Sequence, residues 1–188
     1  MSFVLTVATL VIFITKMVAT SVQNNPEFGK DNHKSTMAEL FNEDLMRMKN
    51  GTAISINARD QLHGKIVALY FSARWCQKCH VLTPFLKDIY NDVGQDNFEI
   101  VYVSHDNSER EQEEYMRKSH GDWLFIPFGE LLIDDLNDKY NVRGLPALII
   151  IKESCDLVTK NGTSDIIDYI AKPSVELLEK WNNTVCTK

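Results

Sequence analysis

The chain lacks a second close-set pair of cysteines. Cys76 and Cys79 are separated by two residues, whereas Cys155 and Cys186 stand far off and alone. A structural zinc site needs four ligands, usually two such pairs or one pair with histidines at set spacing, so the pattern argues against a metal. Basic runs are missing too. With a net charge of −6, their absence argues against a nucleic-acid partner. No repeat or low-complexity tract occurs, and 44% apolar with 24% charged residues is the composition of an ordinary globular chain. A length of 188 residues suffices for one domain with a full core, and nothing suggests a second.

The first apolar stretch lacks length. Ser2 to Thr15 is uncharged and Lys16 interrupts it, which falls short of the roughly 20 residues a membrane span needs. It fits the apolar region of a secretory signal peptide, with small residues near Val18-Ala19-Thr20-Ser21 where cleavage can fall. No Lys or Arg precedes it, so an uncleaved signal anchor is the second reading, and only that reading brings a membrane into contact. The expected layout is a signal peptide over 1–20, a polar leader over 21–36 with Pro26 and Gly29, and one domain over 37–188. Asn50, Asn161 and Asn182 each head an Asn-x-Thr acceptor pattern for glycosylation. The last residues, Val185-Cys186-Thr187-Lys188, are not an endoplasmic-reticulum retention signal. The expected location is therefore outside the cell or in the secretory lumen.

What is present is Trp75-Cys76-Gln77-Lys78-Cys79, set between the apolar run Ile66 to Phe71 and a helix-like stripe of Val81, Leu82, Phe85, Leu86, Ile89 and Tyr90. A thiol where a strand gives way to a helix meets unpaired N–H groups and the positive end of the macrodipole, which stabilise a thiolate. A second thiol one turn later can attack a mixed disulfide and release the partner. This is the layout of a dithiol–disulfide exchange site, with Cys76 attacking and Cys79 resolving. Two alternatives stay open on the residues alone. Cys76-Gln77-Lys78-Cys79-His80 fits the c-type haem attachment pattern, and the pair fits a purely structural disulfide of an exported protein.

Periodicity places further elements. Met37 to Lys49 reads as a short helix or irregular packing segment, and Thr52 to Ile56 alternates like an edge strand. Ile66–Phe71, Phe98–Val103 and Ala147–Ile151 are continuous apolar runs fit for buried strands. Pro84 lies inside the helix after the cysteines. Ser108-Glu109-Arg110-Glu111 is a capping box opening a charged helix to about Ser119. Trp123 to Phe128 reads as an apolar loop, Leu131 to Tyr140 as a helix and Ser174 to Trp181 as a closing helix. Leu157 to Thr159 is expected to pair with the strand before it, which puts Cys155 in the turn. Alternating strands and helices followed by a hairpin give an α/β fold, a mixed central sheet with helices on both faces.

Together these residues resemble the thioredoxin superfamily, and within it the tryparedoxin and nucleoredoxin-like branch. Five landmarks in order carry the resemblance. They are Tyr70-Phe71-Ser72-Ala73-Arg74-Trp75-Cys76, Pro84, Val103-Ser104-His105-Asp106, Trp123-Leu124-Phe125-Ile126-Pro127-Phe128 and Gly144-Leu145-Pro146-Ala147. The resemblance implies a thioredoxin-like fold over about residues 40–172, with Pro146 cis and set against Cys76. It also implies that Leu145 offers its backbone to a partner whose surface Trp75 and Trp123 extend. Departures accompany the match. Gln77-Lys78 replaces the branch's usual Pro-Pro, so Lys78 puts a positive charge beside the sulfur. Tyr70 stands where thioredoxins place a buried Asp, and His105 where tryparedoxins often have Trp; His105 is expected to be a solvated loop residue. In such a sheet the final hairpin turn and the C-terminus meet at the end away from the site. That implies a Cys155–Cys186 disulfide closing about 32 residues, worth about 3.7 kcal/mol.

The expected function is a thiol–disulfide oxidoreductase acting on protein disulfides or a thiol electron donor, without metal or other cofactor. A secreted binding module that keeps the fold with little catalysis is the alternative from a different class.

Overall fold

The computed structural model describes residues 37–186 except 42 and 154, and without the side chains of 38, 155 and 156. The expected signal segment over 1–20 and leader over 21–36 lie outside the described residues.

A seven-stranded sheet is ordered β2 (Thr52–Ile56), β1 (Leu45–Lys49), β5 (Leu124–Phe125), β4 (Phe98–Ser104), β3 (Ile66–Ser72), β6 (Ala147–Lys152), β7 (Cys155–Thr159). Its centre is β3 (Ile66–Ser72) and β4 (Phe98–Ser104), parallel and in register from Ile66 opposite Phe98 to Ser72 opposite Ser104. Every residue of both strands is buried. A strand covered on two faces carries apolar residues at every position, which explains their unbroken runs. β6 (Ala147–Lys152) pairs antiparallel with β3, and β7 (Cys155–Thr159) antiparallel with β6.

Helices cover both faces. The first is α1 (Met37–Leu40), the second α2 (Ala58–Leu62) and the third α3 (Gln77–Val93), with Pro84 inside it. They are followed by α4 (Glu109–Ser119), α5 (Leu131–Tyr140), α6 (Gly162–Tyr169) and α7 (Ser174–Asn183). Even-numbered residues of β3 and β4, among them Tyr70 and Tyr102, pack with Leu86 of α3, Tyr115 of α4, Ile166 of α6 and Trp181 of α7. Odd-numbered residues such as Leu69 and Val101 pack with Phe41, Leu62 of α2 and Leu136 of α5.

Four elements depart from the sequence expectation. Leu45–Lys49 is a strand, β1, rather than part of a helix. It forms a hairpin with β2 (Thr52–Ile56), Lys49 opposite Thr52, through Asn50 (φ 51°) and Gly51 (φ 79°). Asn-Gly with both φ positive matches the right-handed twist of the flanking strands, and so fixes the register. The Trp123–Phe128 segment contains β5 (Leu124–Phe125), two residues joining β1 on one side to β4 on the other. The segment after β7 forms α6, which starts at a close approach. A Cβ at Gly162 would lie 2.7 Å from the Leu148 carbonyl oxygen. Cys155 does not occupy the hairpin turn; it opens β7 opposite Lys152.

The far end of the sheet is closed by charge. Glu99 of β4 is fully buried, and Arg47 of β1 donates from Nη2 to its Oε2 at 2.6 Å. Gln61 donates to the same oxygen at 3.1 Å, and the Tyr90 hydroxyl to Oε1 at 2.8 Å. β5 pairs with β4 only at Val101 and Tyr102, so this cluster fills the stretch that β5 is too short to cover.

Candidate active site

The N-terminus of α3 carries the cysteine pair at the C-terminal end of β3, the edge where sites form in parallel α/β sheets. Cys76 is the N-cap residue. Its Sγ accepts the Cys79 N–H at 3.2 Å, and its backbone N–H donates to the Ala73 carbonyl. A helix start directs N–H groups at whatever occupies the cap, so negative charge on Cys76 Sγ is favoured there. The two sulfurs are joined as a disulfide, which is the oxidised state of the pair. They differ in access: Cys76 is 7% exposed and Cys79 0%. An incoming sulfur reaches Cys76 and not Cys79.

The Leu145–Pro146 peptide is cis. Leu145 packs against Ala73, Cys76 and Cys79, so the loop meets the cysteines through the residue before the cis proline. Trp75 is 57% exposed, with its indole N–H donating to the His105 carbonyl at 2.9 Å. It lines a groove with Cys76, His105 and Leu145. Lys78 is exposed on the first turn of α3. His105 is not a solvated loop residue: it is half-buried, with Nε2 3.0 Å from Asn137 Oδ1 and its ring beside Phe71.

Trp123 is a correction. It is 2% exposed, and its indole donates to His120 Nδ1 at 3.0 Å. Its ring lies against Tyr70, Tyr90 and His120, so it does not extend the partner surface. The pairing of β5 with β4 places the start of this segment in the core, where the largest apolar ring gains most from burial.

Behind Cys79 lies a chain of neutral hydroxyls rather than a carboxylate. Tyr70 donates to the Cys79 carbonyl at 3.2 Å and lies 2.9 Å from Thr83 Oγ1. Thr83 in turn is 2.9 Å from the Tyr115 hydroxyl, which reaches Ser72 at 3.3 Å. Burial, and next the neighbouring Tyr115, push the Tyr70 phenol well above its ordinary range, so it stays protonated. Asp106 is held by the Tyr102 and Ser104 hydroxyls, and its Oδ1 accepts the Arg74 N–H at 2.6 Å. It thereby fixes the turn that presents Trp75 and Cys76.

His120 escaped the sequence reading, because nothing local marks a histidine as buried. The Trp123 indole can only donate, so His120 Nδ1 accepts and the ring proton sits on Nε2. Among the described residues that nitrogen is buried without a partner, beside Tyr115 and Tyr102 rings centred 4.3 and 4.4 Å away. Burial, helped by the charges of His80 and Lys87, pushes its pKa down to about 3. The unfolded chain binds this proton below about pH 6.5 and the folded chain does not, so stability is expected to fall as pH drops below that value. By pH 4.5 the loss is about 2–3 kcal/mol. Urea denaturation of wild type and His120→Leu across pH 7 to 4.5 checks this. The two profiles should diverge in slope, and parallel profiles would reject the assignment.

Outside the described residues lies the Cys155 side chain, half of the expected second disulfide. Cys186 is disulfide-bonded and packs against the core. Lys152 Nζ, opposite Cys155 in the sheet, donates to the carbonyls of Asn182 and Thr184 and ties the C-terminal segment to this hairpin. Asn50, Asn161 and Asn182 are all exposed.

Comparison with known proteins bears on this geometry. The family described as Thioredoxin-like matches residues 64–157, half of the chain. The chain belongs to the thioredoxin-like family. A thioredoxin from Wuchereria bancrofti is 41% identical, with a TM-score of 0.62 over 76% of this chain and 95% of that one. Tryparedoxin II from C. fasciculata is 26% identical, with a TM-score of 0.62 over 74% and 95%. Probable nucleoredoxin 1 of Arabidopsis thaliana is 36% identical over 81% of this chain. Nucleoredoxin-like protein 1 of Mus musculus is 30% identical over 69%. These relatives place the thioredoxin-like chain in the tryparedoxin and nucleoredoxin-like branch. It spans 26% of the Arabidopsis protein and 65% of the mouse protein.

Proposed function

We propose that this chain is a thiol–disulfide oxidoreductase of the secretory-pathway lumen or the exterior. The observation that carries the chemistry is the asymmetry of the pair: a reachable sulfur capping a helix opposite a cis-proline loop, and a buried sulfur one turn behind it. In the reducing direction, Cys76 thiolate attacks one sulfur of a client disulfide. That bond breaks, one client thiolate leaves, and a Cys76–client mixed disulfide forms. Cys79, losing its proton, attacks Cys76 Sγ, and the second client thiolate leaves. Two electrons pass to the client, whose thiolates take up two protons, and the chain is left in the Cys76–Cys79 disulfide. A dithiol donor resets it by the same steps in reverse.

The location rests on the apolar segment Ser2 to Thr15, the exposed asparagines of the three Asn-x-Thr patterns and the bonded state of Cys186, which suits an oxidising compartment. Expression through a eukaryotic secretory pathway followed by glycosidase treatment tests it. A downward mass shift is expected, and recovery of a glycan-free chain from the cytosol would reject the location.

Catalysis is tested by the rate at which micromolar chain accelerates reduction of a protein disulfide by a dithiol donor. Acceleration well above the uncatalysed exchange is expected. A rate indistinguishable from the uncatalysed one favours the binding-module alternative.

A further inference from the structure

Two grooves meet at Leu145. One, of about 460 Å³, runs past Trp75, Cys76 and His105 and has Arg143 as its single charged lining residue, His105 aside. The other, of about 480 Å³, lies between α3 and α6, walled by Val81, Phe85, Pro146, Ile167 and Ile170, with Lys78 as its single charged lining residue. Val81, Ile167 and Ile170 are each more than half exposed. Three exposed aliphatic side chains around one groove are an uncovered apolar surface at the mouth of the site.

The charges around the grooves are unequal. Arg143 and Lys78 are exposed and make no ion pair among the described residues. The acids on the Arg74 side of the site are already engaged. Glu111 is hydrogen-bonded by Arg74 and held below the usual carboxylate range, Glu114 is held down by Arg110, and Asp106 is bound by Tyr102, Ser104 and the Arg74 N–H. A chain of net charge −6 therefore presents, around its reachable sulfur, two cations that form no ion pair among the described residues.

We propose that these grooves select an extended acidic segment of a client polypeptide, resting on the oxidoreductase reading above. The client crosses Leu145–Pro146 with its disulfide at Cys76. It places an aliphatic or aromatic side chain between Val81 and Ile167, and an Asp or Glu beside the disulfide against Arg143. An occupant long enough to fill both grooves is a polypeptide; a small thiol compound fills only one. Lys78 adds attraction along the apolar groove, and the negative remainder of the surface repels acidic segments that approach elsewhere.

The test measures second-order rates of the reduced chain with disulfide-linked peptides that are acidic and apolar, basic and apolar, or acidic with Ser at the apolar position. Hydroxyethyl disulfide serves as a neutral small probe. At low ionic strength the acidic–apolar peptide should react about tenfold faster than the basic one, with the ratio shrinking in high salt. Arg143→Glu should cut that ratio by about fivefold, and Arg143→Gln by less. Ile167→Ser should remove the advantage of the apolar over the Ser peptide. Because each readout is a ratio within one variant, a change in cysteine reactivity does not imitate it. Equal rates for acidic and basic peptides, or a ratio indifferent to Arg143→Glu, would overturn the proposal alone. Failure of wild type to react even with hydroxyethyl disulfide would overturn the oxidoreductase reading itself.

Discussion

Cys76→Ser is expected to lower disulfide exchange by at least about 10³-fold, because a serine hydroxyl is no nucleophile toward sulfur at neutral pH. Cys79→Ser should behave differently. Cys79 is fully buried and Cys76 is not, so the first attack survives while release of the client fails. The variant should give one burst of client thiol and then stop, with a Cys76–client mixed disulfide detectable by intact mass. Removing either member of a two-thiol cycle ends turnover, but only one removal leaves the intermediate. Equal behaviour of the two variants in the single-turnover assay, without a trapped adduct, would sink the assignment of attacking and resolving thiols.

The second large effect concerns stability and lies at the opposite end of the sheet. Glu99→Leu is expected to cost about 3 kcal/mol, read as a lower urea midpoint at pH 7. Arg47 is only 13% exposed on its side chain, and its Nε is already buried without a partner among the described residues. Removing the carboxylate leaves that guanidinium with only the Gln95 side chain and the Gln61 donor without its acceptor, while the Tyr90 hydroxyl keeps the Asp122 carbonyl. Breaking one half of a buried pair costs about 3–5 kcal/mol, and the slight exposure of Arg47 favours the lower figure. The paired replacement Arg47→Met with Glu99→Leu should recover most of the loss, since two apolar groups of similar volume avoid the desolvation penalty. A double variant no more stable than the single one would show that the pair is not the origin of the effect.

The parts legible in sequence are those where local pattern and tertiary role coincide. β3 and β4 are buried on both faces, so their unbroken apolar runs admit one interpretation. The cysteine spacing and the Ser108 cap also read correctly, the latter only by half, whereas the cis Leu145–Pro146 bond followed from the resemblance and not from local pattern. Ser108 Oγ accepts the Glu111 N–H, but the Glu111 carboxylate turns to Asn107 and Arg74. Failures came where spacing is ambiguous. Leu40, Phe41, Leu45 and Met48 fit a helical stripe over a stretch that bends into a hairpin, and Asn50-Gly51 serves both as a turn signal and as part of a glycosylation pattern. α6 went unread because its stripe is thin, with Ile166 buried and Ile167 exposed. The burial of Trp123 and His120 depends on strands distant in sequence, and so does the entry of Arg143 into the groove of Cys76. No local pattern encodes either.

β5 is two residues long and pairs twice on each side. Mechanically it is a clasp: the β1–β2 hairpin hangs from the parallel core by Met46 and Arg47 opposite Phe125 and Leu124, reinforced by the Arg47–Glu99 bond. The reacting sulfurs belong to the side of the clasp built from β3, β4 and β6. The hairpin still shares a core with that side, Leu45 packing in one cluster with Leu69 and Phe71 of β3, so loosening the clasp is expected to show first as lost stability and not as a change at the sulfurs.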